Sequence, residues 1–347
     1  RRVLFRSGGG LGVWGLPPPP PTLRPSASAC GPLRLRRAPR ARLRLRPAAS
    51  RGERRGGGWL AGAEGGQEPV ELGELSGGVW KSAAEWMAEF NRGDLLLAPP
   101  TLDVLQELAE SPNAVVVSRL RDYNEVDGIP QIEPLRGVLQ MPVRSNTLPP
   151  ADRTNAFIIG DTGAARLIVD PSPANRAEFD KLCAHLVGRG ISEVFLTHHH
   201  PDHRQFANEL ARHLDVPIAM SADTQMRVLK RQPTWLDGLT VRIREDGDVV
   251  TTWLGHAVRV VAVPGHDEGQ LALMPDNRAW CIVGDLIQGV GTVVISAPEG
   301  DMAKYFATLE KVIALQPKVI WPSHGSALGG TFYLEQTLKH QIGRAHV

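Results

Sequence analysis

From Glu68 onward the chain alternates short apolar runs with polar breaks marked by Gly and Pro, and the periods of those runs predict its elements. Trp80, Ala83, Ala84, Met87 and Phe90 recur at helical spacing and predict a helix over 79–90; a second helix is expected over 102–109. Short β-rich runs follow at 115–117, 157–160 and 166–169, the last two joined by the hairpin-like turn Asp161-Thr162-Gly163. Residues 175–187 are amphipathic, with Phe179, Leu182, Leu186 and Val187 on one side, and 192–196 returns as a strand. Beyond it the pattern predicts a helix over 205–214 and strands over 217–220, 239–243, 249–253 and 257–263. A hairpin of 271–274 and 279–283 turns at Pro275-Asp276-Asn277, and a helix over 302–315 precedes a last strand, 319–321. This order predicts a layered α/β domain with its chemistry in loops at strand ends.

Residues 8–66 have no such periodicity. They are rich in Arg, Pro and Gly, cannot pack a core, and are expected to be a disordered or artefactual tail. Charge divides the chain at the same place. The first 60 residues carry 14 Arg against a single acid, Glu53, so the net charge of +2 conceals an acidic body. A basic tail points towards nucleic acid or a membrane surface. No apolar run approaches the roughly 20 residues that span a bilayer. Cys30, Cys183 and Cys281 lie too far apart to form a disulfide framework, so a reducing compartment, the cytoplasm, is expected.

The candidate chemistry begins where the 192–196 strand ends. Thr197-His198-His199-His200-Pro201-Asp202-His203 places four imidazoles and a carboxylate in seven residues, a donor set suited to a borderline metal such as zinc. His198 and His200 are two apart and point the same way on an extended backbone, whereas His199 points away and reads as a non-ligand. Pro201 forces a turn, so Asp202 and His203 approach from another side. Three later strand ends carry a metal-capable group beside a glycine: His266, Asp285 and His324. Asp267 and Glu268 directly follow His266 and are expected to face out of the site.

Two resemblances follow from these residues. Gly93-Asp94-Leu95-Leu96-Leu97-Ala98-Pro99-Pro100-Thr101 and its flanking helices resemble the carboxyl-terminal end of a Nudix hydrolase domain, without that family's catalytic box. The order His-x-His-x-Asp-His, Pro-Gly-His, Gly-Asp and His-Gly, from about Arg119 onward, resembles the metallo-β-lactamase superfamily. That resemblance implies an αββα sandwich and a binuclear site: His198, His200 and His266 on the first metal, Asp202, His203 and His324 on the second, and Asp285 bridging. Asp170 matches an acidic residue that supports the ligands from behind. Gly289 to Val294, then Pro298-Glu299-Gly300-Asp301-Met302, look like the small hydrolase branch near glyoxalase II, whose animal member is a mitochondrial endoribonuclease. In that branch a winged-helix-like domain follows the last His motif and would be missing here. Arg2 to Ser7 and Ile342 to Val347 read as translated adapter. The expected organisation is therefore a tail over 1–66, a Nudix-like remnant over 67–112, a metallo-β-lactamase domain over 113–341, and an adapter-derived end over 342–347.

The chemistry implied is hydrolysis. Two zinc ions sharing a water lower its pKa, and the resulting hydroxide attacks a thioester, ester, lactone or phosphodiester, with Asp202 and Asp285 as candidate proton carriers. The substrate is a small-molecule thioester or ester, or single-stranded RNA. The alternatives are an iron-dependent dioxygenase on the same scaffold, which usually loses second-site ligands that this sequence keeps, and a nucleic-acid-binding protein acting through the arginine tail.

Overall fold

A computed structural model describes residues 2–6, 78–110 and 128–345. Arg2–Arg6 (β1) pairs antiparallel with Gly78–Ser82 (β2), so five residues of the expected tail are extended backbone; residues 7–77 lie outside the described part. The first helix, Ala83–Asn91 (α1), starts four residues later than its periodicity predicts. Ser82 caps it, accepting from Glu85 N–H while Glu85 reaches back to Ser82 N–H, a reciprocal box that fixes the start. Pro99–Glu110 (α2) follows, and Trp86, Phe90, Leu97, Leu102 and Leu105 form a small core of the lead-in. The lead-in also touches the body, where Leu97 N–H donates to Pro134 O. The 115–117 run and the boundary drawn at 112–113 fall outside the described residues.

The body is two sheets. The first runs Ile132–Leu135 (β3), Val138–Arg144 (β4), Arg153–Ile159 (β5), Leu167–Val169 (β6), helix Arg176–Leu186 (α3), Glu193–Phe195 (β7), helices Pro201–Arg204 (α4) and Ala207–Leu214 (α5), Ile218–Met220 (β8), helix Ala222–Arg231 (α6) and Val241–Ile243 (β9). Its strands lie in sequence order, antiparallel from β3 to β6 and parallel from β6 to β9. The second runs Val249–Trp253 (β10), His256–Ala262 (β11), Leu271–Pro275 (β12), Cys281–Ile282 (β13), helix Met302–Leu315 (α7), Val319–Trp321 (β14), Leu328–Gly329 (β15) and helix Phe332–Ala345 (α8), with its six strands also in sequence order.

Alternation along the strands builds the layers. Phe157, Ile159, Val169 and Phe195 face Val258, Val260, Leu273 and Trp321 between the sheets. Ala156, Ile158, Ile168 and Val194 turn outward to α3 and α5, while Val261, Ala272 and Ile320 turn outward to Tyr305, Leu309 and Val312 of α7. The expected α/β class and αββα sandwich are what the chain adopts.

Sequence patterning missed β3, β4 and α6. Pro142 sits inside β4, opposite Asn155, where proline cannot donate to the ladder and so argues against a strand. Asn155 N–H leaves that ladder and donates to Ser323 O at 2.7 Å, tying the two sheets at the edge where the site lies. Helix α6 is short and mostly polar, burying only Thr224 and Val228, so few apolar residues mark its inner face.

Candidate metal centre

Strands β6 and β7 run parallel and end side by side at Asp170 and Leu196. Asp170 takes a positive φ of 47°, an unusual conformation for a residue with a side chain. There its carboxylate accepts Thr197 N–H at 2.8 Å, Thr197 Oγ1–H at 2.6 Å and His203 Nδ1–H at 2.9 Å. The histidine stretch is thus pinned to the neighbouring strand before any ligand atom is placed.

Every histidine of the motif order has one nitrogen fixed outward. Thr197 Oγ1 spends its proton on Asp170, so it accepts from His198 Nδ1 at 3.0 Å. His200 Nε2 donates to Glu299 Oε2 at 3.2 Å, His266 Nδ1 to Val294 O at 2.7 Å, and His324 Nδ1 to Arg153 O at 2.9 Å. These partners assign the tautomers, and each leaves the other ring nitrogen facing inward.

The inward atoms fall into two groups. His200 Nδ1 lies 3.0 Å from His198 Nε2 and 3.1 Å from His266 Nε2, a spacing that suits three nitrogens around one ion at bond lengths of about 2.0–2.1 Å. Asp202, His203 and His324 form the second group. Asp285 stands between them. Its Oδ1 is 3.5 Å from His203 Nε2 and 3.4 Å from His324 Nε2, and its Oδ2 is 3.7 Å from His266 Nε2. All seven residues singled out from sequence converge here. His203 Nε2 and Asp285 Oδ1 are fully enclosed and have no hydrogen-bond partner among the described residues, so a cation between them would satisfy both.

The electrostatics differ between the groups. Burial, then the neighbouring His203, holds His198 well below the usual histidine range, and burial with His266 takes His200 down to about 4. Burial works against charge on His203 and His324 too, but Asp285 and Asp202 outweigh it, pushing His203 well above its ordinary value and His324 up to about 9. Burial would raise the two carboxyls; His203 prevails, drawing Asp202 down to about 2 and Asp285 well below the carboxylate range. The second group therefore holds its charge balance with protons that a cation can replace.

Three features escaped sequence reasoning. His199 does point away from His198 and His200, but its Nδ1 lies 2.6 Å from Asp267 Oδ2. Asp267 is thus turned from the site yet completely buried rather than solvent-facing, whereas Glu268 is exposed and bound to Lys304. Glu299 joins His199, His200 and Arg231, although its sequence segment carried only a branch resemblance. Thr147 Oγ1 lies 3.4 Å from His324 Nε2, from a loop with no signal of its own.

The comparisons with known proteins bear on the family and the fold. The family model described as the metallo-beta-lactamase superfamily matches residues 149–324. An atrochrysone carboxyl ACP thioesterase of Paecilomyces divaricatus is 32% identical over 177 residues, covering 50% of this chain and 51% of that protein. A hydroxyacylglutathione hydrolase of Acidiphilium cryptum is 31% identical over 159 residues, covering 46% and 58%. The chain spans about half the length of the first curated relatives it matches. A solved beta-lactamase domain protein from Burkholderia ambifaria superposes with a TM-score of 0.53 at 21% identity, over 65% of this chain and 80% of that one, a likeness of fold. With the sandwich, the ordered histidines and a family match spanning both sheets, the chain belongs to the metallo-beta-lactamase superfamily.

Proposed function

We propose that this chain is a metal-dependent hydrolase of small-molecule thioesters or esters that holds two metal ions, zinc by the nature of its donors. One observation carries the reading: two three-residue donor groups with the Asp285 carboxylate between them. His198, His200 and His266 would hold the first ion, Asp202, His203 and His324 the second, and Asp285 would touch both. When bound, the ions would supply a Lewis acid for the carbonyl oxygen and lower the pKa of a water towards neutrality. The chain's own residues do the rest. Asp170, Glu299, Val294 O and Arg153 O keep the ligand nitrogens aimed inward. Asp202, the more exposed of the two carboxylates at the centre, would accept a proton from the attacking water and return it to the leaving thiol or alcohol.

The named activities of the relatives, on an acyl carrier protein thioester and on hydroxyacylglutathione, support a thioester over a phosphodiester. No described helix is long and apolar enough to cross a membrane. Cys183 and Cys281 are buried free thiols, which fits the cytoplasm we infer. The test is metal analysis of the purified chain alongside hydrolysis assays on acyl thioesters, carboxyl esters and single-stranded RNA. Two zinc ions per chain with thioester turnover is the expected result. Saturation at one iron with oxygen-dependent turnover, or cleavage of RNA alone, would overturn it.

A further inference from the structure

A cleft of about 500 Å³ opens beside Gly325, the residue after His324, between the loop joining α1 to α2 and the β3–β4–β5 edge of the first sheet. This is the edge on which the metal centre lies, because β5 runs antiparallel to β6 and begins where β6 ends. The cleft and the centre share a wall. Gly325, next to His324, lines the cleft; Asn155 Nδ2 donates to Gly325 O at 2.8 Å; and Arg153, another lining residue, supplies the carbonyl that holds His324 Nδ1.

The chemistry of the lining selects an occupant. Leu96, Leu97, Ile132, Pro142 and Val290 make it largely apolar. Its two charged residues, Asp152 and Arg153, approach each other at 3.8 Å, and Arg153 also donates to Pro142 O, so neither sign is left in excess. An anionic or cationic group finds no complement here. One polar group does stand out. Gln140 lines the cleft from β4, is 7% exposed, and its side chain makes no hydrogen bond among the described residues. Its amide is open to the cleft rather than sealed in the core, so it is free to bond a polar group that enters this space beside the metal centre. Pockets of this size and polarity hold small apolar ligands oriented by a few polar groups.

We propose that this cleft is the acyl site of the enzyme: it takes the neutral, apolar chain of the acyl half of the substrate, and Gln140 hydrogen-bonds to a hydroxyl or carbonyl oxygen carried on that chain. The inference rests on the thioester or ester reading for the identity of the acyl group, and it adds that residues of the lead-in, Leu96 to Pro99, help select it. The polar half of the substrate then lies outside the cleft.

The test is calorimetric binding of octanoate and its monohydroxylated isomers, whose carboxylate would lie outside the cleft at the metal centre, to the zinc-loaded full chain, independent of turnover. Octanoate should bind, at least one hydroxylated isomer should bind more tightly, and Gln140→Leu should abolish that preference, a loss of roughly fivefold for one hydrogen bond. Ala98→Trp and Ala151→Trp, which narrow the cleft from opposite walls, should each weaken binding by about tenfold or more, with melting curves confirming that at least one variant is folded. Octanoate binding that is absent, or unaffected by both tryptophans, overturns the site. A hydroxyl preference that survives Gln140→Leu overturns the role of Gln140. A chain that binds octanoate in the cleft but hydrolyses no acyl thioester or ester overturns the hydrolase reading and leaves the cleft standing.

Discussion

His203 Nδ1 lies 2.9 Å from Asp170 Oδ2, and the same carboxylate oxygen accepts the Thr197 hydroxyl at 2.6 Å. One side chain just past the end of β6 therefore orients a histidine of the second group and anchors the stretch that carries the first. The two effects can be separated. Asp170→Asn keeps an acceptor for Thr197 N–H but loses the negative charge opposite His203. Chelator competition should show affinity at the Asp202, His203 and His324 group reduced about 10–100-fold, the usual cost of removing an outer partner. The His198, His200 and His266 group should stay loaded; equal loss at both would mean that Asp170 acts on the fold rather than on His203.

Asp285→Asn tests the carboxylate placed between the groups. Its two oxygens face opposite sides, Oδ1 towards His203 and His324 and Oδ2 towards His266. On the two-ion reading, removing that negative charge should cost the second metal and most of the turnover. Metal counts at fixed free zinc would check this, and a variant that still holds two ions tightly would exclude bridging.

Asp267 offers the contrast. It is buried against His199, outside the inward-facing nitrogens of the first group, and its Oδ1 accepts Gly269 N–H at 2.9 Å. Asp267→Ala should cost about 1.5–3 kcal/mol, the range for hydrogen bonds to a charged group, and lower the melting temperature by several degrees. Metal stoichiometry at saturation should be unchanged. Loss of one ion from a fully folded Asp267→Ala protein would move this pair into the site.

The metal-free chain should be most stable near the ordinary histidine pKa of about 6.5. His203 and His324 are raised, His324 to about 9, so their contribution is complete below the unfolded value and is lost as pH rises through the folded one. His198 and His200 are lowered, His200 to about 4, so protonation of the unfolded chain erodes stability as pH falls below about 6.5. Melting temperature against pH, measured without and with zinc, checks both slopes. Zinc should steepen in effect towards alkaline pH, because His203 and His324 must release protons to bind it. A metal-free chain that gains stability between pH 7 and 9 would contradict the assignment.

The parts of this centre that the sequence reveals are those repeated in a fixed order. His198, His200, Asp202 and His203 are close in sequence, and His266, Asp285 and His324 each end a strand beside a glycine. Short apolar runs likewise exposed β5 and β14, which are buried on both faces, and β10 and β11, which are partly exposed. What escaped lacks that redundancy. Pro142 masks β4. His199 and Asp267 meet from separate strand ends, and no local pattern joins them. Gln140 and Glu299 are single polar residues whose meaning is a neighbour: an apolar cleft for one, His200 for the other. In the sequence Gly265 is only a glycine beside His266, yet its requirement is spatial: with φ at 137°, a Cβ would come within 2.4 Å of Tyr305 Cα on α7.

Both sheets follow the chain in sequence order, and the exposed turn at Glu245 to Gly247 lies between β9 and β10. A cut there would divide the donors unevenly, leaving His198, His200, Asp202 and His203 on one fragment and His266, Asp285 and His324 on the other. Neither piece could then complete either three-residue group. Zinc would act as the rivet between them, and complementation of the two fragments would become a metal-gated assembly whose strength reports, without any substrate, how firmly the two halves of the centre are held together.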